Sequence, residues 1–353
     1  MRVKLKDVCE KATSNLKQSD ILSLGGKYPV YGASGYLGNI DSYHQDKPYI
    51  AVVKDGAGIG RTTILPPKSS VIGTMQYLIP KENVMPEYLY YVVKHMRLQK
   101  YYTGATIPHI YFKDYQNEEF NLADLNKQRE IVKVLKNVDN TIRYQEIEIN
   151  KFDELIKARF IEMFGDININ NKNWHTEHLG KLCNIVRGSS PRPIEKYLGG
   201  DIPWIKIGDA TDEDNIYLNS TKEHIIREGV NKSRFVKKGS LIFANCGVSL
   251  GFARIISFDG CIHDGWLALE NIDYRLNKEF LLLSLNQLTD HFRIIAPSGT
   301  QPNLNIAIMQ NFMQVIPPME LQETFVSFRR HVDKSRFDIK KSIIELEREV
   351  VYD

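Results

Sequence analysis

From Asp124 to Phe164 the chain carries neither glycine nor proline, and Gly165 follows where a helix needs a residue free to take a left-handed cap. Inside that stretch the positions stepping alternately four and three are Ile131, Leu135, Val138, Ile142, Gln145, Ile149, Phe152, Ile156, Arg159 and Met163, and eight of the ten are apolar. A mean step of about 3.5 residues is the seam that one helix presents to another in a coiled coil. A helix of about 41 residues is roughly 60 Å long, more than one small globule can cover. The same seam returns 194 residues later as Phe325, Arg329, Val332, Arg336, Ile339, Ile343, Leu346 and Val350, six of the eight apolar. Two long helices packed on each other antiparallel are therefore expected, with Gln145 and Arg159 marking exposed turns or a partner surface.

The recurrence reaches beyond the helices. The offset of 194 also pairs Pro108 with Pro302, Gln128 with Gln322 and Val138-Asp139 with Val332-Asp333. A shorter offset of 174 pairs Leu5-Lys6-Asp7-Val8-Cys9 with Leu179-Gly180-Lys181-Leu182-Cys183, which places an insertion inside the second copy. Residues 104–110 face residues 298–304 with one gap. The order of the matches is the same in both halves, so the chain reads as a duplication with pseudo-two-fold internal repetition. Ahead of each helix, short apolar runs such as Tyr49-Ile50-Ala51-Val52-Val53, Asp201-Ile202-Pro203-Trp204-Ile205 and Ser240-Leu241-Ile242-Phe243-Ala244 predict strands. Residues 87–101 and 278–292 predict helices. The organisation expected is an α/β or α+β globule over 1–123, a helix over 124–165, a second globule over 166–317 and a second helix over 318–353.

Composition limits what such a chain does. With 42% hydrophobic and 25% charged residues in 353, it is neither collagen-like nor of low complexity nor wholly disordered, and it is long enough for about two domains. Net charge is +3 and no segment has a strong excess of either sign, which neither requires nor excludes DNA, since a duplex needs only a local basic face. The most apolar stretch, 241–258, is broken by Asn245 and Arg254, and MRVKLKDVCEK is too charged for a secretory leader; no membrane span and no signal peptide are expected. Four cysteines without C-x-x-C or zinc spacing suggest no metal site and reduced thiols in a cytoplasmic protein.

Several phrases now carry a resemblance. Tyr28-Pro29-Val30-Tyr31-Gly32-Ala33-Ser34-Gly35 with Lys54-Asp55-Gly56-Ala57-Gly58-Ile59-Gly60, Asp201 through Asp209 (DIPWIKIGD), Ser298 through Leu304 (SGTQPNL), and Pro317-Pro318 opening the last helix together resemble the specificity subunit of type I restriction-modification systems. The resemblance covers nearly the whole chain. It implies two target-recognition domains separated by two long antiparallel coiled-coil helices. It further implies recognition of a bipartite, gapped double-stranded DNA target, docking of two modification subunits that bind S-adenosylmethionine, and restriction subunits that use ATP where these are present. The first copy departs from the pattern, with Ile107-Pro108-His109-Ile110 where the second has Gln301-Pro302-Asn303-Leu304.

Candidate DNA-facing residues fall on four loops. Gly56-Ala57-Gly58-Ile59-Gly60 lacks the lysine and hydroxyl of a phosphate loop and reads as a tight turn, flanked by Lys54 and Arg61, whose small residues let DNA approach. Asn245, with Arg254 close behind, occupies the matching place in the second copy. Thr106, His109, Tyr111 and Lys113 lie at the place of Gln301 and Asn303, two amides of the kind that pair with adenine, although Asn303 also suits a cap and His109 an ordinary core or surface position. Arg187 and Arg192, with Lys196, form a basic loop suited to phosphate or simply to water. Lys206 follows Trp204, which reads as core. Asp209, Asp212, Glu213 and Asp214 read as a surface loop.

Chemistry is harder to find. No Asn-Pro-Pro-Tyr, Walker or P-D…E-x-K constellation is present, so recognition without catalysis and without a cofactor in this chain is expected. The alternatives are a duplicated α/β enzyme with an inter-domain site using His109 or His263-Asp264, and a coiled-coil adaptor that binds only proteins.

Overall fold

The structure is a computed structural model that describes residues 1–21, 25–104, 108–211, 216–247, 249–297 and 302–352, with side chains described for these except 20 and 349–352. Its longer helices are α1 (Pro86–His95), α2 (Leu125–Phe164), α3 (Lys278–Gln287) and α4 (Met319–Tyr352). The chain divides into two compact units, one of residues 1–147 with 340–353 and one of residues 148–339, so the boundaries fall inside α2 and α4. No described helix is long and apolar enough to cross a membrane.

In the first unit Cys9–Thr13, Met75–Pro80, Tyr49–Val53 and Thr62–Leu65 form an antiparallel four-stranded sheet. A three-stranded sheet of Gly35–Ile40, Tyr28–Gly32 and Ser70–Val71 accompanies it. Tyr49–Val53 is buried at every position, which explains an unbroken apolar run in place of alternation. Arg2–Lys4 pairs with Glu119–Asn121 just before α2 begins.

The second unit repeats this plan. Asn184–Arg187, Trp266–Glu270, Leu241–Ala244, Ala253–Ile256 and Tyr217–Leu218 form one sheet, and Glu223–Ile225, Leu198–Ile205, Gly260–Ile262 and Arg234–Val236 another. His175–His178 pairs with Met313–Ile316 before α4, as the first strand does before α2. Even small details recur: Cys9 and Cys183 each donate Sγ–H to the carbonyl four residues back, and burial pushes both thiols up to about 12. Neither is a reactive thiol.

Two predicted helices are shorter than the sequence pattern. The first ends at His95 because Arg97 takes a left-handed φ of 48°, and a short 3-10 turn follows over Leu98–Tyr101. The second breaks at Leu288 into α3 and Thr289–Ile295.

A buried glutamine fastens each long helix to its globule. Gln128 Oε1 accepts from the Met85 N–H (2.8 Å), the residue that opens α1, while its Nε2 donates to the carbonyls of Asn83 (3.0 Å) and Ala123 (2.8 Å). Gln322 accepts from the Asn277 N–H at the start of α3 (2.9 Å) and donates to the carbonyls of Arg275 (2.9 Å) and Pro317 (2.7 Å). One side chain thus satisfies orphan backbone groups at two helix starts and a loop. An ion pair recurs beside it, Lys136 with Glu87 and Arg330 with Glu279.

The seam positions are withdrawn from solvent along both helices. Ile131, Leu135, Val138, Ile142, Ile149 and Phe152 are half-buried and Ile156 is buried, as are Phe325 and Val332, while Ile339, Ile343 and Leu346 are half-buried. Val350 lies beyond the described side chains. Within the first unit Gln145 Nε2 donates to Ser342 Oγ (3.0 Å). Within the second, Arg336 pairs with Asp153, and the Phe160 and Phe325 rings sit 5.2 Å apart. Partners move down α4 as they move up α2, so the pairing is antiparallel. Gln145 is therefore inside the seam and not an exposed turn, whereas Arg159 pairs with Glu162 at a half-open position.

Replacing Gln128 or Gln322 with leucine removes three hydrogen bonds to partly buried backbone groups, so each variant is expected to lose about 1–3 kcal/mol of stability. Denaturant unfolding measures the loss, and amide exchange at Met85 or Asn277 should accelerate. A variant as stable as the parent would show that the clamp contributes nothing.

Candidate nucleic-acid interface

Each unit presents one hairpin loop locked by one returning segment, and the lock is made of the same backbone hydrogen bonds. In the first unit the loop 54–60 is closed by Gly60 N–H to the Val53 carbonyl and Val53 N–H to the Arg61 carbonyl, both 2.9 Å. Gly56 N–H then donates to Pro108 O and Ile110 N–H to Lys54 O, again both 2.9 Å. In the second unit Gly251 N–H and Ala244 N–H close the loop at 2.8 Å each, Gly247 N–H donates to Pro302 O (3.2 Å) and Leu304 N–H to Asn245 O (2.7 Å). The glycines follow from the geometry: Gly60 has φ 78°, and a Cβ there would stand 2.5 Å from the Gln99 nitrogen.

The side chains on this shared frame differ. In the first unit His109 Nδ1 is 2.6 Å from Asp55 Oδ1, the Tyr111 ring stacks beside His109 (centroids 6.3 Å apart), and the Lys113 ammonium is 5.4 Å from the Tyr111 ring centroid. Lys54 approaches Asp55 (3.9 Å). In the second unit Asn245 Nδ2 donates to Asn303 Oδ1 (3.1 Å). The Pro-His and Pro-Asn departure noted in the sequence is thus a change of side-chain pair on an unchanged backbone lock.

Asp264 organises the basic residues of the second unit. Its carboxylate accepts from the Ser190 hydroxyl (2.7 Å), stands 3.0 Å from His263 Nε2 and 3.6 Å from Arg192, and its backbone carbonyl accepts from Arg187 Nε (3.0 Å). Burial alone would push this carboxyl up, but the Ser190 hydroxyl, the imidazole and the guanidinium hold it below the usual range. His263 is pushed below its ordinary pKa by burial, against the pull of Asp264 and with the push of Lys206, Arg192 and Arg187. Its Nδ1 accepts from the Gly265 N–H (2.9 Å), so the neutral ring carries its proton on Nε2, toward Asp264. Asp264 therefore lies between Ser190 and His263. A nucleophilic relay needs the histidine in the middle, and this cluster is a scaffold for arginines.

The candidates of the sequence divide accordingly. Lys54, His109, Tyr111 and Lys113 come together on the first loop, and Arg187 and Arg192 gather beside the second, near Asn245, whose N–H bonds Gly265 O (2.9 Å). Arg61 is bent onto the Ala33 carbonyl (2.9 Å). Lys206 is ion-paired with Glu223 and sits 5.3 Å over the ring of Trp204, which is core as expected. Two candidates need correction. Arg254 is buried, donates to the Ala253 and Ala210 carbonyls and stacks 4.6 Å from the Phe252 ring, so it braces the sheet and does not face DNA. Asn245 is fully buried and holds Asn303 in place; it is a lock and not a contact. Thr106 and Gln301 lie outside the described residues, as do Asp212, Glu213 and Asp214. Sequence reasoning missed Asp264 as a hub, and read Gln128 and Gln322 only as markers of duplication.

Two like units on long paired helices, each offering a locked loop with basic residues on or beside it, describe a modular recognition protein. The chain belongs to the type I restriction-modification DNA specificity family, whose model matches residues 1–152 and 171–348. It is a specificity subunit, a recognition component without catalysis of its own, and one that binds DNA and assembles with other subunits of its system. It is 22% identical over 303 residues to the MjaIX type I restriction enzyme specificity subunit of Methanocaldococcus jannaschii, covering 77% of this chain and 68% of that one. The fold is similar to that of an M. genitalium type I S subunit, with TM-score 0.59 at 17% identity and 99% and 93% of the two chains covered. It is also similar to a chain solved in work on complex assembly and conformational transition of the type I system, with TM-score 0.67, 16% identity and coverage of 99% and 95%.

Because His263 has a lowered pKa in the folded chain, the unfolded chain binds its proton first as pH falls below about 6.5. Stability is expected to be level above that pH and to decline below it, while Asp264, held low, stays charged through the window. Comparing the parent with His263→Gln at pH 7 and pH 5 by thermal unfolding should show a smaller decline in the variant. Equal declines would remove His263 from the account.

Proposed function

We propose that the chain reads a bipartite, gapped double-stranded DNA target, one half through the globule at 1–123 and the other through the globule at 166–317. The observation that supports this is the loop lock built twice on different side chains: a common frame carrying different polar groups suits two different half-sites. On this reading Lys54, His109, Tyr111 and Lys113 serve one half and Arg187, Arg192, Lys206 and Asn303 the other. The helices at 124–165 and 318–353 join the recognition domains and dock two modification subunits, with restriction subunits where the host supplies them. Exposed apolar residues such as Val134, Tyr144 and Phe337 offer the helices outward-facing contacts for that docking. S-adenosylmethionine and ATP belong to those partners, and the complex works in the cytoplasm.

Exchanging residues 174–316 for the corresponding domain of a relative is expected to change one half of the methylated site and leave the other. Methylome sequencing reads the result, and loss of both halves from a folded, assembled complex would refute the modular assignment. Inserting seven residues into each long helix keeps the apolar register and adds about 10 Å, so the unread gap should lengthen by up to about three base pairs. An unchanged gap with methylation intact would mean that the helices do not set the spacing.

A further inference from the structure

The first unit holds a cleft of about 200 Å³ whose wall includes Lys11, Thr13, Lys54, Gln76, Tyr111 and Lys113. Three ammonium groups and the Thr13 and Tyr111 hydroxyls share the wall with one carboxylate, Asp55, which His109 already engages at 2.6 Å. Behind them stands Gln76, only 2% exposed. Its Oε1 accepts from the Tyr115 hydroxyl (3.4 Å), and its Nε2 has no partner. An amide donor buried without an acceptor is costly, so its retention calls for a reason.

The duplication shows that the fold does not supply one. Gln76 pairs across the sheet with Val52 and Thr13, and Leu267 pairs with Phe243 and Arg187 at the matching place in the second unit. Leu267 is fully buried in an apolar layer, as Gln76 would be were it leucine. At the places of Lys11, Lys54 and Lys113 the second unit has Ile185, Asn245 and Ala307. The amide and the ammonium groups are therefore present together in one copy and absent together from the other.

We propose that this cleft is a phosphate site, with Lys11, Lys54 and Lys113 as charged rim and the Gln76 amide as inner donor, and that the phosphate is one of the DNA backbone. The backbone assignment rests on the recognition reading above, since the cleft shares Lys54, Tyr111 and Lys113 with the first loop. Three ammonium groups and an unmet amide donor, with the one carboxylate of the wall already engaged, favour an anion over a base edge. The site then contributes affinity and register in the first half-site, and no sequence preference.

Two measurements test it. In the assembled complex with its modification subunits, the double variant Lys11→Ala/Lys113→Ala should lower affinity for target and scrambled duplex alike. It should also make the slope of log affinity against log salt shallower by about one, the share of a single phosphate. With the isolated chain, inorganic phosphate against chloride at matched ionic strength should shift the Gln76 side-chain amide resonance. Gln76→Leu, which installs the residue of the second unit, should keep or raise thermal stability while weakening phosphate binding about tenfold. An unchanged salt slope with DNA binding intact overturns the backbone assignment, and a Gln76 amide indifferent to phosphate overturns the anion site. A parent complex that binds no DNA would instead sink the recognition reading, leaving the phosphate titration to decide the cleft.

Discussion

A single buried amide at the start of each long helix is the contact on which the architecture turns. α2 and α4 are amphipathic and too long to be held by packing on one globule, so their direction of departure must be fixed where they leave it. Gln128 and Gln322 do this by binding, with three hydrogen bonds each, the residue that opens a neighbouring helix, a loop carbonyl and the carbonyl just ahead of the long helix. Hydrogen bonds are directional where apolar contacts are not, and a buried amide with all three partners met has one low-energy geometry. The two-stranded ribbons Arg2–Lys4 with Glu119–Asn121 and His175–His178 with Met313–Ile316 close the chain at the same point from the other side.

The seam between the long helices uses polarity in a different way. Most of it is apolar, but Gln145 meets Ser342 at half-buried positions, and half-buried Arg336 meets the exposed Asp153 at the edge. In the second unit Phe160, Phe164, Phe280 and Phe325 form an aromatic cluster with centroids 4.8 to 6.1 Å apart, so α2 and α4 share one core with α3. Apolar residues supply the burial, while the polar pairs penalise any slip of one heptad that would leave them unmatched.

The two recognition loops show how a duplicated frame diverges. Backbone hydrogen bonds do not depend on residue identity, so Gly56 with Pro108 and Gly247 with Pro302 survive the change of nearly every neighbour. Side-chain partners change: His109 pairs with Asp55 in one copy, while in the other Cys246 stands at the place of Asp55 and Asn303 pairs with Asn245, at the place of Lys54. The second copy adds Asp264, which draws Arg187 and Arg192 to its loop. The first instead places lysines around a buried amide.

The sequence by itself determined the long helices, the seam each presents and the duplication. These are properties of periodicity and order, and a 3.5-residue seam or a repeated Pro, Gln and Val-Asp at constant offset needs no coordinates to be seen. Where the candidate residues end up was decided only by tertiary structure. Arg254 and Arg187 look alike in sequence, yet one is buried beneath a sheet and the other leans on a carboxylate at a loop, because strand register and not residue type sets which side faces the core. The same holds for glutamine. Gln128, on a helix, meets three backbone partners and Gln76, on a strand, leaves a donor unmet, and only the tertiary surroundings of each side chain distinguish them.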